Sequence, residues 1–196
     1  MPRKHSPFVA LLADLKAVFE ELGVGWYVFG AQAALLYGSA RLTADVDVTV
    51  ALAERRTEEF VETLRARGFS LRVADPAFVS ATRVLPVVHD RTGLPADIVL
   101  AGPGIEELFL ERARRRDLGG LEVPVACAED IVVMKVLAGR EKDRGDVQAI
   151  LAAQAATLDV ELVRATLGLL EQALDQRDLL PAFEAAFARA RVPPGV

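Results

Sequence analysis

Three aspartates carry the most chemistry in this sequence: Asp45, Asp47 and Asp97. Asp45 and Asp47 are two apart in the run Asp45-Val46-Asp47-Val48-Thr49-Val50. Strict alternation there predicts a strand, with the valines on one face and the aspartates and Thr49 on the other. The two carboxylates then lie on one side, roughly 6.6 Å apart along the strand. Like charges so placed repel unless water or a cation neutralises them. A hard divalent cation that prefers oxygen ligands, such as magnesium, is the natural neutraliser. Asp97 opens a second apolar run, Asp97-Ile98-Val99-Leu100. If the two strands are neighbours, three aspartates can hold two metal ions roughly 3.5–4 Å apart, which activates an attacking oxygen and stabilises a leaving pyrophosphate.

A second cluster runs Glu129-Asp130…Lys135…Arg140-Glu141-Lys142-Asp143-Arg144-Gly145-Asp146. Lys135 sits inside the apolar stretch Ile131–Ala138, so its ammonium must snorkel out, pair with a carboxylate or point into a polar cleft. The chain has four lysines against 19 arginines, and two of the four fall in this stretch. Asp143 and Asp146 share a helix face, and Lys142 and Asp146 stand at i, i+4. A salt-bridged helix start accounts for this spacing as well as a phosphate site does.

The elements that must position these groups follow from periodicity and punctuation. Pro7–Leu22 predicts a helix, Trp26–Phe29 a strand, and Ala31–Tyr37 a short helix ended by Gly38. Thr57–Arg67 predicts an amphipathic helix with Phe60, Val61 and Leu64 inward. Strands are expected at Leu71–Val73, Val84–Val88 and Ala96–Leu100, the last two joined by the turn Asp90–Gly93. Ile105–Arg116 reads as a helix, whose basic end Arg112–Arg116 faces solvent or an RNA phosphate backbone. Val123–Val125 reads as an edge strand, since Pro124 removes a ladder donor. Helices follow at Ala128–Ala138, Lys142–Ala153, Val160–Leu174 and about Leu180–Ala190, then a frayed tail through Pro193, Pro194 and Gly195. The expected organisation is a strand-rich part, 1–126, and a helical part, 127–192, packed on it.

Phe29-Gly30-Ala31 ends the first strand and opens the short helix, where glycine lets a phosphate approach the backbone amides. Thirteen residues, Gln32 to Ala44, separate Ala31 from Asp45. In its order of hydrophobic-Gly-x, spacer, Asp-x-Asp and a later third aspartate, the sequence resembles the nucleotidyltransferase superfamily with the polymerase-beta-like core. The stretches from Gly30 to Asp47 and from Lys135 to Asp146 resemble the bacterial AbiEii-type toxin branch, and the likeness covers most of residues 26–150. Ala31 departs from the pattern, which often has serine or glycine there, so a hydroxyl contact to phosphate is lost.

The resemblance implies an α+β fold: a mixed β-sheet with flanking helices, followed by a C-terminal helical bundle. It implies a magnesium-dependent enzyme, with two ions, that transfers a nucleoside monophosphate from a nucleoside triphosphate to an acceptor hydroxyl on RNA, such as tRNA, or on protein. Asp45, Asp47 and Asp97 would be the metal ligands and Asp97 would help deprotonate the acceptor. Lys135 would touch the nucleotide phosphates, and Asp146 or Asp143 would assist catalysis. Gly30, Ala31, Gln32, Arg41, Thr43, Arg140 and Lys142 would complete the nucleotide site; Thr43 would orient Asp45, and Ser39 is set aside as too close to Asp45. A toxin with an antitoxin protein as partner is the expected biology. The rivals are a non-catalytic nucleotide- or partner-binding member of the fold, for which Ala31 speaks, and a small-molecule transferase of the antibiotic-modifying kind.

Composition bounds the rest. The 196 residues are 52% hydrophobic and 26% charged, which describes a folded chain and not a disordered one. A net charge of −5 argues against bulk affinity for nucleic acid or anionic membranes. A single cysteine, Cys127, excludes an internal disulfide, and with only two histidines a Cys/His zinc site is not expected. Cys127 is expected to be a buried core thiol. With no membrane-spanning run and no evident cleavage site after Met1–His5, the expected location is the cytoplasm.

Overall fold

The computed structural model describes residues 6–41, 43, 45–52 and 57–191. The expected tail at Pro193–Gly195 and the basic start Met1–His5 lie outside the described residues. Two compact units divide the chain: Met1–Gln32 with Thr43–Ala126, and Ala33–Leu42 with Cys127–Val196.

The first unit is a seven-stranded mixed sheet with helices. Its strands are β1 (Trp26–Phe29), β2 (Val46–Val50), β3 (Phe69–Leu71), β4 (Val84–His89), β5 (Pro95–Leu100), β6 (Arg114–Asp117) and β7 (Glu122–Val125), in the order β3-β4-β5-β2-β1-β7-β6. β2 runs antiparallel to β1 and parallel to β5, so the two aspartate strands are direct neighbours. The helices are α1 (Pro7–Leu22), α3 (Thr57–Ala66), α4 (Pro76–Thr82) and α5 (Ile105–Arg112), with α2 (Gly30–Leu36) beginning in this unit. Ser6 caps α1 by accepting a hydrogen bond from the Val9 amide, and Pro7 follows where a missing N–H costs nothing. The stripe Leu11, Leu12, Leu15 and Phe19 is fully buried. Phe19 lies 4.8 Å from Trp26 and 6.2 Å from Phe60, ring centre to ring centre, which ties α1 and α3 to the sheet. Each such side chain contributes about 1.5–3 kcal/mol by leaving water.

The second unit contains α6 (Ala128–Ala138), α7 (Glu141–Ala153), α8 (Val160–Leu174) and α9 (Leu179–Ala190), a helical bundle around Ile131, Val132, Ile150, Val163, Leu167 and Phe183. The Ala33–Leu42 segment belongs to it: Tyr37 offers its carbonyl to Gln154 Nε2 at 3.4 Å. At Gly38 a Cβ would stand 2.3 Å from that of Ala153, and φ is +109°, so no side chain is tolerated there. Among the described residues, no helix is long and apolar enough to cross a membrane.

Several local expectations are corrected. The expected helix through Arg116 ends at Arg112, and Arg114–Asp117 forms the outermost strand β6, with all four side chains exposed. Pro124 is not on an edge, because β6 covers β7. The Leu118 amide bonds to the Leu121 carbonyl, so alternation turns the nitrogen of residue 124 away from β6, towards β1. There only Val28↔Val125 is in register, and the missing donor costs that shorter ladder alone. β3 falls two residues earlier than Leu71–Val73, and Val61 is half-buried. The helix α4 was not anticipated. Cys127 is half-buried at the start of α6, where burial and then the neighbouring Asp130 push its thiol well above the ordinary range, which disfavours the reactive thiolate.

Candidate active site

The sheet unit brings the first set of predicted residues into one row. Asp47 on β2 stands in register with Phe29 on β1 and with Asp97 on β5, and Asp97 stands in register with Pro86 on β4. Partners in register share a face, so Asp47 and Asp97 project to the same side, with strand axes about 4.8 Å apart. Val46, Val48 and Ile98, of opposite parity, are fully buried and hold both strands in place. Asp47 is half-buried, and the side chain of Asp97 is 38% exposed, so water and solutes reach the pair.

Gly30 closes on this row. Its φ is +70°, and a Cβ there would lie 1.9 Å from Asp47 Oδ2 and 2.8 Å from Asp47 Cβ. Only glycine permits this approach of backbone to carboxylate. Asp45 is exposed one residue ahead of β2, and its amide donates to Thr43 Oγ1 at 3.2 Å. Gln32 Nε2 donates to the Thr43 carbonyl at 2.7 Å, so Gln32 is spent on holding the segment before Asp45. Ala31 is buried. Asp97 also receives an ion pair from Arg72, a residue the sequence reading passed over. Among the described residues, no three histidine, cysteine, aspartate or glutamate side chains form a ready metal cluster.

The second set converges in the helical unit. Lys135 Nζ donates to Asp146 Oδ2 at 2.6 Å and to Asp143 Oδ1 at 3.2 Å, and these side chains are 6%, 4% and 0% exposed. Ser39 Oγ donates to Asp146 Oδ1 at 2.6 Å, and Arg41 Nε reaches Asp146 Oδ2 at 3.3 Å. Arg140 closes on Asp143 from the solvent side at 2.5 Å. Burial alone would push the Asp146 carboxyl up, but hydrogen bonds from Lys135 and Ser39 and the charges of Lys135 and Arg41 outweigh it and hold it below its ordinary value. Asp143 follows the same pattern: burial is overcome by the hydrogen bond from Arg140 and the charge and hydrogen bond of Lys135. Of the three outcomes open to Lys135 in an apolar helix, pairing with carboxylates is the one found.

Lys142 is exposed on the first turn of α7 and takes no part in this network. Sequence reasoning set Ser39 aside by its distance from Asp45, whereas its partner lies 107 residues away on α7. The signals for that cluster were a lysine inside an apolar helix and the spacing of Asp143 and Asp146.

A mixed sheet with paired aspartates beside a glycine turn, continued by a helical bundle, is the nucleotidyltransferase fold. The chain belongs to the family described as nucleotidyltransferase of unknown function (DUF6036), whose model matches residues 7–179. The structure is similar to the solution structure of the antibiotic-resistance factor ANT(2'')-Ia (TM-score 0.60, 15% identity, 85% of this chain and 92% of that one). The same factor in complex with adenylyl-2"-tobramycin gives a TM-score of 0.59 at 14% identity, over 86% of this chain and 99% of that one. An antigenic nucleotidyltransferase-like protein from Paracoccidioides brasiliensis gives 0.53 at 18% identity, over 91% and 92%. At these identities the likeness is one of fold. No curated protein matches the sequence significantly.

Proposed function

We propose that the chain is a magnesium-dependent nucleotidyltransferase that moves a nucleoside monophosphate from a nucleoside triphosphate to an acceptor hydroxyl and releases pyrophosphate. The observation that carries this reading is the meeting of Gly30 and Asp47, where a single Cβ would fill the space beside a carboxylate that stands in register with Asp97. The donors suit a hard cation: Asp47 and Asp97 stand in register on neighbouring strands, Asp45 lies exposed one residue ahead of β2, and all three offer carboxylate oxygens. Magnesium held there would lower the pKa of the acceptor hydroxyl and offset charge developing on the leaving pyrophosphate.

The chain's own residues do the remainder. Gly30 keeps the space beside Asp47 open, and the Gly30 and Ala31 amides would receive phosphate oxygens. Thr43 fixes the backbone at Asp45. Asp97 would take the proton of the acceptor hydroxyl. We assign Lys135, Asp143 and Asp146 to a buried charge network that anchors Ser39 and Arg41, because the Lys135 ammonium already has two carboxylate partners.

Two acceptor classes compete. The likeness of the Gly30–Asp47 and Lys135–Asp146 stretches to AbiEii-type toxins supports a hydroxyl of RNA or protein, with an antitoxin as partner. The fold shared with ANT(2'')-Ia, bound in one structure to adenylyl-2"-tobramycin, supports a small-molecule hydroxyl. Incubation of the protein with each α-labelled triphosphate, magnesium, total RNA, cell protein and tobramycin separates them by where label appears. Asp47→Asn is expected to lower transfer about a hundredfold or more, since it removes a charged ligand from a site that supplies several kcal/mol. Transfer by Asp47→Asn at the wild-type rate would sink the assignment.

A further inference from the structure

Arg72 belongs to the same row as the aspartates. Its amide donates to the Pro86 carbonyl at 2.9 Å, one step beyond the pair Leu71↔Val87. Pro86 is in register with Asp97, and Asp97 with Asp47. The row therefore reads Arg72, Pro86, Asp97, Asp47 across four adjacent strand positions, and parity sends the Arg72 side chain to the face of the two carboxylates. Its guanidinium spans the width of β4 to pair with Asp97 Oδ1. The acidic residue nearest to it in sequence, Asp75, is engaged elsewhere: its carboxylate accepts from the Ala77 amide at 2.9 Å and caps α4. Arg72 and Asp97 are 40% and 38% exposed, so this is a charge pair that can open without burying an uncompensated ion.

Resting on the reading above, we propose that Arg72 is the resident counter-ion of Asp97, that a divalent cation must displace it from the carboxylate, and that this arginine thereby sets the metal affinity of the site. The physical reason is competition. A guanidinium and a metal ion both need the oxygens of Asp97, and each repels the other at that distance. With the arginine in place, the two neighbouring carboxylates are tolerated in the metal-free chain; with metal bound, the arginine is released into a position facing the acidic pair. Removing the arginine removes both the competition and the repulsion, so metal should bind more tightly while the metal-free fold gains nothing.

Titration of Mn2+ alone into the full chain, by calorimetry and by metal-induced change in Tm, tests this. Arg72→Gln is expected to bind Mn2+ about three- to fivefold more tightly than wild type, the range that loss of one exposed pair allows. Its Tm without metal should be no higher than wild type. Arg72→Lys, which keeps the charge, should stay within about twofold of wild type in Mn2+ affinity. Equal or weaker binding by Arg72→Gln overturns the proposal, since an arginine that merely organises Asp97 would act in that direction. A lysine variant as tight as the glutamine one also overturns it, because charge would then not be the cause. If the folded wild type and Arg72→Gln both fail to bind Mn2+ at millimolar concentration while keeping their Tm, the metal-site reading falls and this proposal with it. Binding that is equal in the two sinks this proposal alone.

Discussion

Two regions of the molecule solve the same electrostatic problem in opposite ways. On the sheet, Asp97 and Arg72 meet at 38% and 40% exposure beside Asp47. In the helical unit, Asp143 and Asp146 meet Lys135 at 0%, 4% and 6% exposure. An exposed pair contributes about 0–1 kcal/mol, is screened by salt and can exchange partners with solutes. A buried group of charges has already been stripped of water, and removing one member strands the others. The first arrangement suits a site that must accept and release ions. The second suits a fixed joint. Both contain the Asp-plus-cation chemistry that sequence reading associates with nucleotide handling, and burial separates them.

The comparison breaks most visibly at Lys135. Lys135→Met is expected to cost about 3 kcal/mol, the low end for a broken buried pair, because Asp143 and Asp146 lose their shared buried cation and keep only Arg140, Arg41 and Ser39. Urea denaturation measures this. A loss below about 1 kcal/mol would mean that the two carboxylates find water in the folded state, and the network would then be no different from the sheet pair.

Acid should act on the same network next. Asp143 and Asp146 titrate below their ordinary values when folded. Unfolded aspartates take up protons near pH 3.9. The unfolded chain therefore binds more protons in that window, and stability rises with pH through it. The stabilisation from these two carboxylates is complete above about pH 5 and is lost as pH falls through the ordinary aspartate range towards the lower folded values. Urea midpoints from pH 7 to pH 3 should show the loss, and Asp143→Asn should flatten it. An unchanged acid slope in that variant would remove Asp143 from the network.

How much of this was legible depends on what each feature needed. Helices α1, α6 and α8 have the residue boundaries that periodicity and end signals predict, because each buries a stripe and carries its own stop, such as Gly139 at φ +62° after α6. β6 was misread as helix because Arg114–Asp117 exposes all four residues, so neither face leaves a pattern, and its pairing with β7 is decided by tertiary structure. α4 buries no side chain and so shows no stripe, although Asp75-Pro76 is a capping signal that was present to be read. At the site, Asp47 and Asp97 were readable from parity within their own strands. Arg72 was not, because its place beside them depends on the order β3-β4-β5-β2, which no local pattern encodes. Ser39 was missed for the same reason, its partner being 107 residues away.

Gly30 sharpens the comparison from the sheet side, with the smallest expected effect on stability. Alanine there must adopt φ near +70°, which costs about 1–3 kcal/mol. The added methyl also meets Asp47 at 1.9 Å from Oδ2 and 2.8 Å from Cβ. The Asp47 Cβ is fixed by the strand, so the turn itself must back away by about 0.6 Å to bring that 2.8 Å approach to an ordinary 3.4 Å contact. The destabilisation should therefore stay below that of Lys135→Met, while Mn2+ affinity and nucleotidyl transfer fall with the displaced carboxylate. Urea unfolding and Mn2+ titration of the one variant read both quantities. If Gly30→Ala unfolds as readily as Lys135→Met, the glycine turn is a structural joint like the helical network; if it binds Mn2+ as wild type does, the carboxylate beside it is not where the cation sits.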